Sequence, residues 1–128
     1  MGAVTYDIQA SARRLEHAFP LHTEEGVRSF LEKLENLNEL KYLAGDYDVA
    51  IWLLDFKEVL YNHAKLSSLE LDIIHNMYFL GYRQVDLVKM MGLKKNTIST
   101  ILKRAVKKIV AHYEYEKFIE EGEVRWSQ

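Results

Sequence analysis

The chain has 128 residues, 48% of them hydrophobic, and its 17 basic and 19 acidic side chains give a formal net charge of −2. This length suits one domain, or a small domain with an N-terminal extension, and the apolar fraction is enough to build a core. The absence of cysteine excludes disulfides, thiolate metal sites and a thiol nucleophile.

Two helices are predicted in the first third of the chain. The first covers residues 11–19 and ends at Pro20, because proline cannot continue a helix. The second begins at Thr23, a typical N-cap residue, and its apolar positions from Val27 to Leu40 recur every three or four residues. This stripe is expected to face a partner and is one candidate surface for self-association.

The third predicted helix begins at Asp46 or Asp48 and is apolar on more than one face around Trp52. Such a helix is either central to the fold or buried in an oligomer interface, and we favour the first. A fourth helix begins at Ser67 or Ser68, and Ser67 is placed to form a capping box with Glu70. Its expected buried side chains are Leu69, Ile73, Ile74, Met77 and Leu80. No segment alternates as a β-strand does, so the predicted fold class is all-α.

A short helix, a turn and a longer helix follow. The short helix starts at Gln84, and its apolar face is formed by Val85, Val88 and Met91, with Leu87 one step to the side. Gly92 is expected to end it, because glycine adopts the left-handed conformation without a Cβ penalty. The longer helix starts around Lys95 and has an apolar stripe of Ile98, Ile101, Leu102, Ala105 and Ile109. It continues to about residue 118, and Gly122 is expected to stop it.

Positive charge is concentrated in this region. Residues 83–112 carry eight Lys and Arg side chains against one acid, Asp86, and hence about +7, so the remainder of the chain carries about −9. A basic segment in an acidic protein is typical of a phosphate-binding surface. Together with the helix, turn and helix, it predicts a helix-turn-helix unit whose second helix enters the major groove of DNA.

A further pattern spans the fourth helix, the turn and the longer helix. It consists of Glu70-Leu71, Ile73-Ile74, Tyr78-Phe79, Gly81-Tyr82, Leu87-Val88, Met91-Gly92-Leu93, Thr97-Ile98-Ser99 and Leu102-Lys103-Arg104-Ala105. Through these residues, about a third of the chain resembles region 4 of bacterial sigma factors, which reads the −35 promoter element. It more closely resembles the sigma-like helix-turn-helix domains of small phage and prophage transcription regulators.

Three positions depart from the family's pattern. Arg83 and Lys94 stand where the family usually has Ser or Thr, whose side chains cap the two helices. Val88 stands where alanine is usual at the close helix contact, so the angle between the helices is expected to open slightly.

The resemblance implies which side chains would contact DNA. The residues expected to read base edges are Lys95, Asn96, Ser99 and Thr100. Asparagine pairs with adenine, lysine donates to guanine, and threonine contacts the thymine methyl group. The residues expected to contact phosphate are Arg83, Lys94, Thr97, Lys103, Arg104 and Lys107. Thr97 is compatible with either role, and the alternative for Asn96 is a helix-start residue without a DNA contact.

No pattern typical of catalysis or metal binding is present. The five histidines are scattered without H-E-x-x-H spacing, and there is no glycine-rich phosphate loop. We therefore expect no enzyme activity and no cofactor. No apolar run approaches the roughly 18 residues of a transmembrane span, and the first residues lack a secretory signal pattern. The expected location is the bacterial cytoplasm or nucleoid, without a membrane partner.

The predicted organisation has three parts. Residues 1–64 form a helical module that is a candidate for oligomerisation, residues 65–118 form the sigma region 4-like helix-turn-helix domain, and residues 119–128 form an acidic tail. The expected function is sequence-specific regulation of transcription on double-stranded DNA, as a homodimer or beside RNA polymerase. The alternative is an interaction module that binds RNA polymerase or a sigma factor through the helix around Asp72 and does not read DNA.

Overall fold

The computed structural model describes residues 8–34, 36 and 46–126, and the regular structure in this part of the chain is entirely helical. The helices are α1 Ile8–Ala18, α2 Glu24–Leu34, α3 Asp46–Glu58, α4 Ser68–Ile74, α5 Gln84–Met91 and α6 Lys95–Trp126. The π-helical turns Val59–His63 and His75–Phe79 extend α3 and α4. The predicted all-α class is confirmed. None of the described helices is long and apolar enough to cross a membrane.

Two predicted helix starts are confirmed by capping hydrogen bonds. Thr23 Oγ1 accepts a bond from the backbone N–H of Gly26 at 3.0 Å. Ser67 Oγ accepts from the N–H of Glu70 at 3.2 Å, and Glu70 Oε1 accepts from the N–H of Ser67 at 2.9 Å. These bonds satisfy N–H groups that have no partner within their helices.

Two predicted helix boundaries are wrong. The first helix, α1, begins at Ile8 rather than at residue 11. Gly122 does not end α6, which continues to Trp126. A glycine inside a helix costs only about 1 kcal/mol, and the glutamates around it are good helix formers. Residues 37–40 of the second predicted stripe lie outside the described residues.

One hydrophobic core joins α2 and α3 to α4, α5 and the first half of α6. The ring of Phe30 makes edge contacts with Phe19 and Phe56, at centroid distances of 5.4 Å and 4.8 Å. Trp52 is only 2% exposed, so the prediction that its helix is central to the fold is confirmed.

The apolar stripe of α2 faces this core and not a second copy of the chain. Its described members Val27, Phe30, Leu31 and Leu34 are buried against the other helices. The proposal that this stripe is a self-association surface is therefore wrong for its described part, since these side chains already have apolar partners.

The predicted face of α4 is partly wrong. Ile73 and Ile74 are buried, but Leu69 and Leu80 are 38% and 57% exposed. Tyr78 is buried in place of Leu80. The π-helical turn His75–Phe79 adds about one residue to a helical turn, so Tyr78 and Leu80 no longer follow the 3.6-residue period. It does not account for the exposure of Leu69, which precedes the turn.

A buried ion pair ties α4 to α6. Lys108 Nζ donates to Oε1 of Glu70 at 2.6 Å, and Glu70 is 2% exposed. Burial alone would raise the pKa of Glu70, but hydrogen bonds from Lys108 and Ser67 hold its pKa below the usual value of 4.5. Because the folded pKa is lowered, this contribution to stability is complete above pH 4.5 and is lost as the pH falls below it.

We predict that Lys108→Met lowers the free energy of unfolding by about 2 kcal/mol at neutral pH, because the buried carboxylate loses its cation. The partial exposure of Lys108 keeps this loss below that of a fully buried pair. Urea unfolding followed by circular dichroism measures it. Lys107→Met, on the exposed side of α6, is the matched control and should change stability by less than about 0.5 kcal/mol.

The difference between Lys108→Met and the wild type should shrink as the pH falls below 4.5, since a protonated Glu70 no longer needs a cation. A difference that stays constant over this range would contradict the assignment.

Candidate nucleic-acid interface

The connection between α5 and α6 consists of residues 92–94. Gly92 has φ 67° and ψ 26°, in the left-handed region, and its N–H donates to the carbonyl of Val88 at 3.1 Å. Gly92 therefore ends α5 as predicted. The next helix begins at Lys95, also as predicted, and the N–H of Ile98 donates to the carbonyl of Lys94 at 3.0 Å.

The start of α5 is capped by a carboxylate and not by the residue at the N-cap position. The Arg83 side chain makes no capping bond, but its backbone N–H donates to Asp86 Oδ2 at 2.9 Å. This bond lowers the pKa of Asp86. The Arg83 guanidinium lies 3.5 Å from the same carboxylate, so part of its charge is offset locally.

The buried face of α5 differs from the predicted one. Leu87 is fully buried, whereas Val85 is 49% exposed, and Val88 and Met91 lie at the margin of the core. The face of α5 that packs against the core therefore contains Gln84, Leu87 and Met91. It is displaced by one residue from the predicted face, which contained Val85. Gln84 consequently faces α6.

Gln84 is a functional candidate that the sequence analysis missed. Its Nε2 donates to Ser99 Oγ at 2.6 Å and to the carbonyl of Lys95 at 3.3 Å. The two bonds fix the first turn of α6 against the start of α5. Gln84 lies three residues before Leu87 and seven residues before Met91. This helical spacing is the sequence signal that could have placed it on the inward face.

All ten predicted DNA contacts are exposed; they are Arg83, Lys94, Lys95, Asn96, Thr97, Ser99, Thr100, Lys103, Arg104 and Lys107. Four residues lie in the middle of the exposed face of α6, at intervals of three or four positions: Asn96, Thr100, Lys103 and Lys107. Thr97 and Arg104 lie along one edge of this face. Lys95 and Ser99 lie along the other edge, beside α5.

Two hydrogen bonds change what this surface offers. Thr100 Oγ1 donates to the carbonyl of Asn96 at 2.9 Å, so Thr100 presents its methyl group and oxygen lone pairs outward. Lys108 is paired with Glu70 and is not part of the free positive charge.

A cleft of about 310 Å³ lies beside this face. It is lined by Arg28, Gln84, Ser99, Thr100, Leu102 and Lys103. Arg28 belongs to α2. No sequence pattern predicts that it lies beside α6, because only the packing of α2 against α6 brings the two together.

A larger cleft, of about 590 Å³, lies between α1, α3 and the second half of α6. Its walls include five carboxylates, Glu16, Asp55, Glu58, Glu116 and Glu120. Burial and the nearby Glu116 raise the pKa of Asp55, and burial with both acids raises the pKa of Tyr113. This negative environment is unsuited to a polyanion, so volume alone does not identify the nucleic-acid surface.

Within the described ranges, no group of three or more His, Asp or Glu side chains is arranged to hold a metal ion. Comparisons of the chain with protein-family models, curated proteins and solved structures found no match. The resemblance to sigma region 4 therefore stays a prediction that rests on the residues themselves.

We predict that Gly92→Ala lowers the free energy of unfolding by about 1–2 kcal/mol, because an L-residue is strained at this φ. A Cβ at Gly92 would meet no atom within 4 Å, so the cost is one of backbone conformation and not of steric overlap. Gly92→Asn is the matched comparison and should lose less, since asparagine tolerates the left-handed region. Equal losses in urea unfolding would contradict this explanation.

Proposed function

We propose that α5, the turn at residues 92–94 and α6 form a helix-turn-helix, and that the chain is a sequence-specific DNA-binding transcription regulator of phage or prophage type. In this proposal α6 enters the major groove with the face that carries Asn96 and Thr100. The resemblance of residues 69–109 to sigma region 4 supports the same assignment.

The observation that carries the proposal is the two-sided construction of the first half of α6. Its inner side is buried in the core, and its outer side is polar and basic. Residues 95–110 contain five bases and no acid, and only Lys108 among these bases is paired with a carboxylate within the described chain. A helix of about 10–12 Å diameter fits a major groove about 12 Å wide.

Fixed geometry at the start of α6 is a second support. Side chains that read base edges must be held in place by their surroundings. The bonds from Gln84 to Ser99 and Lys95 hold the first turn, and Gly92 sets the direction of the chain before it. The proposed base-reading residues therefore stand on a supported helix end.

Selection from a random-sequence DNA pool tests the proposal. We expect a discrete motif and a log–log salt slope of several units, since each phosphate contact contributes about 0.9 to the slope on B-DNA. No enrichment, with weak binding abolished by moderate salt, would contradict the proposal. It would favour a module that binds RNA polymerase or a sigma factor without reading DNA. A variant without Lys95, Lys103 and Lys107 would then still retain polymerase in a pull-down.

Asn96→Ala and Lys95→Ala should each weaken binding to the selected motif by about 1–3 kcal/mol and relax the preference at one base pair. Fluorescence anisotropy gives the Kd. Asn62→Ala is the matched control, because Asn62 is exposed on the π-helical turn after α3, and it should bind as the wild type does. If neither α6 variant changes the binding free energy by about 1 kcal/mol, the base-reading assignment is wrong.

We also propose that the chain acts as a homodimer or beside RNA polymerase, because a single helix-turn-helix buries little surface on DNA. We propose the outer side of α3 and its π-helical turn as the surface for a second copy, because it carries three exposed large apolar side chains. Tyr47, Leu54 and Tyr61 follow there at seven-residue intervals and are 78%, 69% and 51% exposed. Tyr61 lies in the π-helical turn, so the spacing is regular only from Tyr47 to Leu54, and the support for association is the exposure of this apolar repeat.

Leu54→Glu should convert the dimer to a monomer, because a charge at the centre of this repeat would be buried without a partner. Sedimentation at tens of micromolar protein, with and without DNA, measures the change. Phe118→Glu is the matched control, since Phe118 is 70% exposed on α6 and does not line the cleft between α6 and α3, and it should leave the dimer intact. A wild type that stays monomeric in both conditions would remove the homodimer proposal.

A further inference from the structure

The 310 Å³ cleft lies between α2, the start of α5 and the exposed face of α6. Arg28 of α2 and Lys103 of α6 are its two cationic residues, and no carboxylate lines it. Among the described residues, no carboxylate lies within ion-pairing distance of Arg28. The cleft therefore has two positive charges without a counter-charge.

Hydrogen bonding leaves donors at this cleft. Ser99 accepts the bond from Gln84, so its own hydroxyl proton is left for an acceptor. Thr100 gives its hydroxyl proton to the Asn96 carbonyl and forms a neutral wall. Arg28 and Lys103 contribute only N–H donors. A tetrahedral oxyanion such as phosphate matches this combination of charge and donors.

We propose that the cleft binds a backbone phosphate of the DNA that α6 contacts, with Arg28 as its principal ligand; this assignment rests on the proposed function. The planar guanidinium of arginine matches two phosphate oxygens at once. Arg28 is half-buried and Leu102 lines the same cleft, so the attraction is less screened by water than at a fully exposed site.

The position of the cleft on α6 favours a DNA phosphate over a free one. The two strands that border a major groove place phosphates on both sides of a helix lying in it. Arg104 lies on one edge of the exposed face, and within residues 95–110 the other edge of α6 carries Lys95 as its only cation. Arg28 extends the positive charge along that second edge. The helical module thereby becomes part of the DNA surface and not only a scaffold.

Arg28→Gln in the full chain tests the proposal, because glutamine keeps part of the side-chain stem and removes the charge. Arg13→Gln is the matched control, since Arg13 is exposed on α1, and Arg28→Lys keeps the charge. Binding to the DNA selected by the wild type is measured over a series of salt concentrations, and thermal unfolding establishes that each variant is folded.

Arg28→Gln should bind about tenfold more weakly and show a salt slope lower by about 1. The loss should be the same on an unrelated sequence, because phosphate contacts carry no sequence information. Arg13→Gln should match the wild type, and Arg28→Lys should keep the wild-type slope.

Unchanged affinity and slope for Arg28→Gln, on DNA that the wild type binds, would overturn the phosphate assignment and leave the proposed function standing. No binding of the wild type to any DNA would overturn both. The last measurement is the Tm of the wild type and of Arg28→Gln with inorganic phosphate added at constant ionic strength. If phosphate raises the Tm of the wild type but not of Arg28→Gln while the DNA slope is unchanged, the occupant is a free phosphate and the assignment to DNA is overturned.

Discussion

The first half of α6 is the element on which the rest of the fold depends. Its apolar stripe, centred on Ile98, Ala105 and Ile109, packs into the core formed with α2, α3, α4 and α5. A helix that buries one side must expose the other, so burial of this stripe also sets the direction of the basic face. Rotation of α6 about its axis would bury lysines and expose isoleucines, and both changes cost free energy. The orientation of the candidate interface is thus maintained by the hydrophobic core.

Two polar contacts fix the position of α6 along its own axis. Apolar packing has little directionality, so a stripe alone specifies the rotation of a helix better than its position along the axis. Gln84 fixes the beginning of α6 through Ser99, and Glu70 fixes a point further along through Lys108. Both contacts come from helices that precede α6 in the chain, and each uses a geometry that a shift by one turn would break.

Local chemistry explains how much of this structure was predictable. The helix starts at Thr23 and Ser67 and the helix end at Gly92 depend on residues within a few positions of each other, and they were predicted correctly. The exposure of the eight proposed DNA contacts on α6 followed from the regular period of this helix. The faces of α4 and α5 were partly wrong, because a π-helical turn changes the period in one and tertiary contacts select Leu87 in the other. The position of Arg28 beside α6 could not be predicted, because its neighbours on α6 are distant in sequence. DNA binding itself stays a prediction.

The continuity of α6 has an electrical consequence. The helix has 32 residues and a length of about 48 Å, with five bases and no acid in residues 95–110 and four acids with one base in residues 111–121. This order opposes the one that the helix macrodipole favours, so it is not explained by helix stability. It gives α6 a side-chain dipole directed along its own axis. In the field of a polyanion, the torque on this dipole favours an approach with the basic end of α6 forward and disfavours an approach by its acidic end.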